Sequence, residues 1–122
     1  MRTLPLLVLA LATAPALAEP TRLDQKAIAD ALTGNTVHGT WGQTEYWSWF
    51  GAGGVTTYVA KGRPPQNGAW RAAAQQYCST WREGGGESCY ELWRDGDTIT
   101  WVVPETGARY PSTLLPGDQL PR

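Results

Sequence analysis

Two cysteines, Cys78 and Cys89, restrict this chain more than any other feature. They stand on two strand-like runs, Gln76 to Trp81 and Ser88 to Arg94, with the glycines Gly84, Gly85 and Gly86 between them. A third run, Thr98 to Val103, follows Asp95-Gly96-Asp97. Short β-prone runs separated by glycine and aspartate spell antiparallel hairpins. The stretch from Gly68 to Val103 therefore reads as a β-meander clamped by one disulfide. If the cysteines face each other, Tyr77 pairs with Tyr90, Ser79 with Ser88 and Trp81 with Gly86. Closing so short a loop contributes roughly 3 kcal/mol in the chain-entropy treatment. The spacing is far from the C-x-x-C of redox-active pairs, so the bridge is read as structural.

A disulfide presupposes an oxidising compartment, and the start of the chain agrees. Arg2 precedes an apolar run from Leu4 to Leu17, and Ala16-Leu17-Ala18 offers the small-x-small pattern of a cleavage site. Residues 1–18 are expected to be a signal peptide, with residues 19–122 as a single β-meander or barrel domain in the periplasm or outside the cell. The run is too short for a membrane span, which needs about 20 apolar residues, and Pro5 and Pro15 interrupt it. Beyond Arg2, 9 of the 10 basic residues face 11 acidic ones, a net −2 with His38 neutral. That balance argues against nucleic-acid partners and against attachment to an anionic membrane surface.

Thr21 to Leu32 is the one convincing helix, with Leu23, Ala27, Ile28, Ala31 and Leu32 on one stripe. Thr21 is the expected N-cap, and Gly34 the expected stop. The rest reads as strands: Val37–Trp41, Thr44–Phe50, Val55–Ala60, Ala69–Ala72, the three runs already named, and Ala108–Leu115. Lys61 to Asn67 contains Pro64-Pro65 and reads as an exposed loop. The expectation is a mainly β fold, a small antiparallel meander of seven or eight strands. It forms a curled sheet or up-and-down barrel, with one short N-terminal helix at an end or on an outer face. Alternation directs Tyr77, Trp81, Tyr90 and Leu92 inward and the cysteines outward, with Ile99, Trp101 and Val103 as the apolar set of their strand.

Function is harder to read. Thr44–Phe50, TEYWSWF, carries aromatic residues on both faces, Tyr46 and Phe50 on one, Trp47 and Trp49 on the other. The second face calls for cover by the helix, a neighbouring chain or a ligand. Trp47, Trp49 and Tyr58 are the candidate ligand-binding residues. Seven tryptophans in so short a chain either fill a small core or line a cup for an apolar or sugar-like ligand.

His38 is the only histidine and has no metal-ligand spacing around it, so no metal and no cofactor is expected. No G-x-S-x-G or comparable nucleophile signal is present. Glu87 and Glu91 share a strand face that reads as solvated. Lys61, Arg63 and Arg71 form a small basic cluster around the Pro64-Pro65 loop. The chain thus reads as a non-catalytic binding domain for a small ligand or an envelope protein.

The order LTGNT at Leu32 to Thr36, G-x-W at Gly68 to Trp70, Cys78, and CYELWRDGD from Cys89 to Asp97 resembles a family of small exported proteobacterial proteins sharing a domain of unknown function. The resemblance spans most of residues 19–122 and implies the same leader and disulfide meander, with no assigned activity. The chain departs from that pattern at the Gly51 to Gly54 turn, which lacks the expected Asp-Gly, and in the tryptophan pair just before it. Gly39-Thr40-Trp41 is similar to the early G-x-W of bacterial metalloprotease inhibitors, small exported eight-stranded barrels with one disulfide. Their bridge joins other parts of the barrel, and their N-terminal trunk has no counterpart before Leu23. That likeness implies the alternative role, a barrel-type secreted protease inhibitor.

Overall fold

The computed structural model describes residues 2–6, 19–82 and 85–122. Most of the expected leader therefore lies outside the described residues. The remainder forms β1 (Thr21–Arg22), α1 (Gln25–Leu32), β2 (Thr36–Trp41), β3 (Thr44–Phe50), β4 (Val55–Ala60) and β5 (Gln66–Ala73). Then follow β6 (Gln76–Trp81), β7 (Glu87–Asp95), β8 (Thr98–Val102) and β9 (Arg109–Leu115).

Each strand from β2 to β9 pairs antiparallel with the next, and β9 returns to pair with β2. The sheet is a closed eight-stranded up-and-down barrel. The seam joins Thr36 to Leu115 and Gly39 to Ser112. The cysteine register is the expected one, with Tyr77 opposite Tyr90, Cys78 opposite Cys89 and Ser79 opposite Ser88. Cys78 and Cys89 are bonded.

The N-terminal segment differs from the helix expected over Thr21–Leu32. Asp24, not Thr21, caps α1, its Oδ1 accepting from the Ala27 amide at 2.9 Å. Thr21 and Arg22 are extended and pair with Arg94 and Trp93. That part of β7 lies beyond its last pair with β6, so the ladder groups there are open and β1 satisfies them. Gly34, at φ +79°, ends the helical segment in a conformation that favours glycine.

The helix packs on β5 and β6 and stops one end of the barrel. Ile28 and Leu32 are fully buried and join Val37, Phe50, Leu92 and Ile99 in one core. The expected cover of the outer face of β3 by this helix is thus not what forms. The loop expected over Lys61–Asn67 is also shorter, because Gln66 and Asn67 already pair with Tyr58 and Thr57. The two prolines lie outside that ladder, where their missing N–H groups cost nothing.

Candidate functional site

At the end of the barrel away from α1, the inward positions are mostly aromatic. Trp41 comes from β2, Tyr46 and Ser48 from β3, and Tyr58 from β4. Ser79 and Trp81 come from β6, Tyr90 from β7 and Trp101 from β8, with Phe50 and Tyr77 deeper. They enclose a cup of about 250 Å³ with no charged residue on its wall. That volume is just below the ~300–1,000 Å³ of drug-sized pockets. It suits a molecule of one or two rings.

The rings hold one another. Trp41 stacks on Tyr110 at 3.8 Å between centroids and meets Tyr90 edge-on at 5.5 Å. Tyr58 lies 5.7 Å from Tyr46 and edge-on to Trp81 at 6.0 Å. Trp101 meets Tyr77 edge-on at 4.9 Å. Two serines fix the indoles further. Trp81 Nε1 donates to Ser79 Oγ at 3.2 Å, and Trp101 Nε1 donates to Ser112 Oγ at 3.0 Å. Ser112 in turn donates to the Ile99 carbonyl at 2.8 Å. The hydroxyl-bearing residues Ser48, Tyr58 and Tyr90 also stand on the cup wall.

Burial keeps the wall neutral. It pushes the Tyr46 hydroxyl up to about 12, with the Ser112 hydroxyl offsetting part of the effect. It raises Tyr77 further, against a smaller opposing effect of Ser79. Tyr58 is raised by burial and pulled back by the charge of Arg63. The cup therefore offers π faces and hydroxyl groups but no ion.

Of the three candidate ligand residues, the structure places Tyr58 in the cup and Trp47 and Trp49 on the outer face of β3. Trp47 stacks on His38 at 4.7 Å, and His38 Nε2 lies 3.1 Å from Glu45 Oε1. Trp49 lines an outer groove with Val55, Thr57 and Asn67. Tyr77, Trp81, Tyr90 and Trp101, expected inside from alternation alone, are inside and line the cup. Trp41, Tyr46 and Ser48 were not among the candidates. Their signal is position in the register, since Trp41 and Tyr46 fall on the inner face only once β2 and β3 pair.

The outward carboxylates are engaged. Arg71 grips Glu87 through Nε at 2.8 Å and a terminal nitrogen at 2.6 Å, and Arg22 meets Glu91 at 2.8 Å. Arg71 holds the Glu87 carboxyl below its usual range. Arg71 thus belongs to the outer face of the bridge rather than to a basic cluster with Lys61 and Arg63. Among the described residues one metal-like grouping occurs, Cys78, Glu87 and Cys89, and its two sulfurs are joined to each other.

Comparison with family models, with curated proteins and with solved structures finds no match. Among the described residues no helix is long and apolar enough to cross a membrane.

Proposed function

We propose that this barrel is an exported, non-catalytic binding protein whose cup takes a small ring-bearing molecule. The observation that carries this reading is the uncharged, aromatic-lined cup, held in shape by its own ring contacts and shut at one end by α1. Aromatic walls contribute dispersion and π contacts, and hydroxyls on the wall orient the occupant. A non-catalytic role is supported by the pairing of Glu87 and Glu91 with arginines, which leaves neither carboxylate poised for acid–base work. Export is supported by the leader-like residues 1–18 and by the bridge. The inhibitor alternative has less support. It requires a free N-terminal trunk, whereas Thr21 and Arg22 are paired to β7 and the Leu23 amide donates to the Leu92 carbonyl at 2.9 Å.

Titration of the mature chain with one- and two-ring compounds, followed by tryptophan fluorescence, tests the proposal. Binding is expected for at least one ring class and is expected to disappear in Ser48→Phe, which fills the cup. A full panel without any spectral response, or binding undiminished in Ser48→Phe, overturns it.

A further inference from the structure

The wall of the cup is neutral, but its mouth is not electrically even. The fully described connections at the mouth are residues 42–43, 61–65 and 103–108, while Arg82, at the end of β6, lines a separate groove with Pro65, Gln66 and Asn67. The second of these connections carries Lys61 and Arg63. Lys61 is drawn to the outer face, where its Nζ lies 3.9 Å from Glu45 Oε2. Arg63 forms no ion pair among the described residues. Its amide donates to the Ala60 carbonyl at 3.0 Å, so its backbone is anchored at the end of β4. Ala60 lies opposite Tyr46, and Tyr58 is two residues back along the same strand. Pro64 and Pro65 stiffen the chain immediately beyond. Arg63 thus stands on a short, tethered connection above the Tyr46–Tyr58 side of the cup, and its charge is felt by Tyr58. The acidic residue Glu105 is on residues 103–108, the connection between β8 and β9, four strands away across the mouth.

Resting on the reading of the cup as a ligand site, we propose that its ligand is an aryl carboxylate, rings down in the cup and carboxylate at the mouth against Arg63. Two physical reasons set this orientation. A carboxylate at the cup floor would lose its hydration with no cation to meet it, which is costly. At the mouth it keeps part of its water and gains a charge-assisted bond from a guanidinium, whose fork matches a carboxylate. Ring-first entry follows, and an uncharged analogue of the same shape enters with the rings alone holding it.

Isothermal titration calorimetry of the mature chain with naphthoate and naphthamide separates the two contributions. Naphthoate is expected to bind about five- to tenfold more tightly, the range of a partly exposed charge-assisted contact. The advantage is expected to shrink at high salt and vanish in Arg63→Gln, with naphthamide affinity unchanged there. Lys61→Gln is expected to keep the advantage. Equal affinities in the wild type, or a preference that survives Arg63→Gln, overturn this inference and leave the cup a site for neutral rings. Failure of both compounds to bind at about 1 mM, a free energy of only some 4 kcal/mol, overturns this inference, and the cup as a ring site falls with it only when the wider panel of one- and two-ring compounds is silent as well.

Discussion

At Gly68 the strand passes so close beneath Trp81 that a Cβ would lie 2.7 Å from indole Cε3 and 2.7 Å from the Thr80 carbonyl oxygen. The backbone oxygen cannot swing aside as a flexible side chain would. Gly68→Ala is therefore expected to destabilise the fold by about 1–3 kcal/mol, the usual cost of overpacking. It is also expected to displace the Trp81 ring from Tyr58. A urea midpoint and the near-ultraviolet circular dichroism of the indoles report the two effects; an unchanged midpoint contradicts this account of the glycine. The buried tyrosines make a second residue-scale prediction. Tyr46 and Tyr77 both have hydroxyl pKa values raised above 10.0 by burial, so the fold favours their protonated forms. Their contribution is complete below pH 10.0 and is lost as pH rises through about 12 for Tyr46. Stability measured by urea unfolding is expected to fall in that window, with tyrosinate absorbance rising alongside, and Tyr46→Phe is expected to make the fall shallower. A flat stability curve across the window would refute it.

Among the elements, the β6–β7 hairpin carries the only covalent cross-link among the described residues. Its two cysteines are 11 apart in sequence. Reduction is expected to lower unfolding free energy by roughly 3 kcal/mol in the chain-entropy treatment. Because Cys78 and Cys89 point away from the cup, ring binding by the reduced but folded chain is expected to be unchanged; calorimetry before and after reduction checks this. This hairpin was legible in the sequence, since turn residues and alternation agreed on one register. The bounds of β3, β4 and β6 were legible for the same reason. The start of α1 was not. Thr21 reads as the cap, and its displacement by Asp24 is decided by open ladder positions on β7 that are remote in sequence and draw Thr21 and Arg22 into a strand. Half of the cup was likewise beyond reach. Period two says that Tyr46 and Phe50 share a face and that Trp47 and Trp49 share the other, but with aromatics on both it does not say which is inside. Barrel closure decides that, and closure is a property of the β2–β9 pairing.

At the scale of the whole molecule, that seam joins β2, near the start of residues 19–122, to β9, near their end. It is latched by one hydroxyl. Thr36 Oγ1 donates to the Gly117 carbonyl at 2.7 Å and accepts from the Gln119 amide at 2.9 Å, while Asn35 Oδ1 accepts from the Gly117 amide at 3.0 Å. Thr36→Val keeps the shape but leaves two backbone groups of the C-terminal tail unpaired, at a cost of about 1–3 kcal/mol. Hydrogen exchange is expected to quicken at amides bonded across β2–β9 before those of β5–β6, and uniform acceleration through both would contradict a local latch. With Ile28 and Leu32 wedged into its base, the barrel is a blind vessel and cannot serve as a conduit. Whatever it holds must depart by the route it came, so residence time is governed by the rim and the grip of the walls, with no second exit to hasten it.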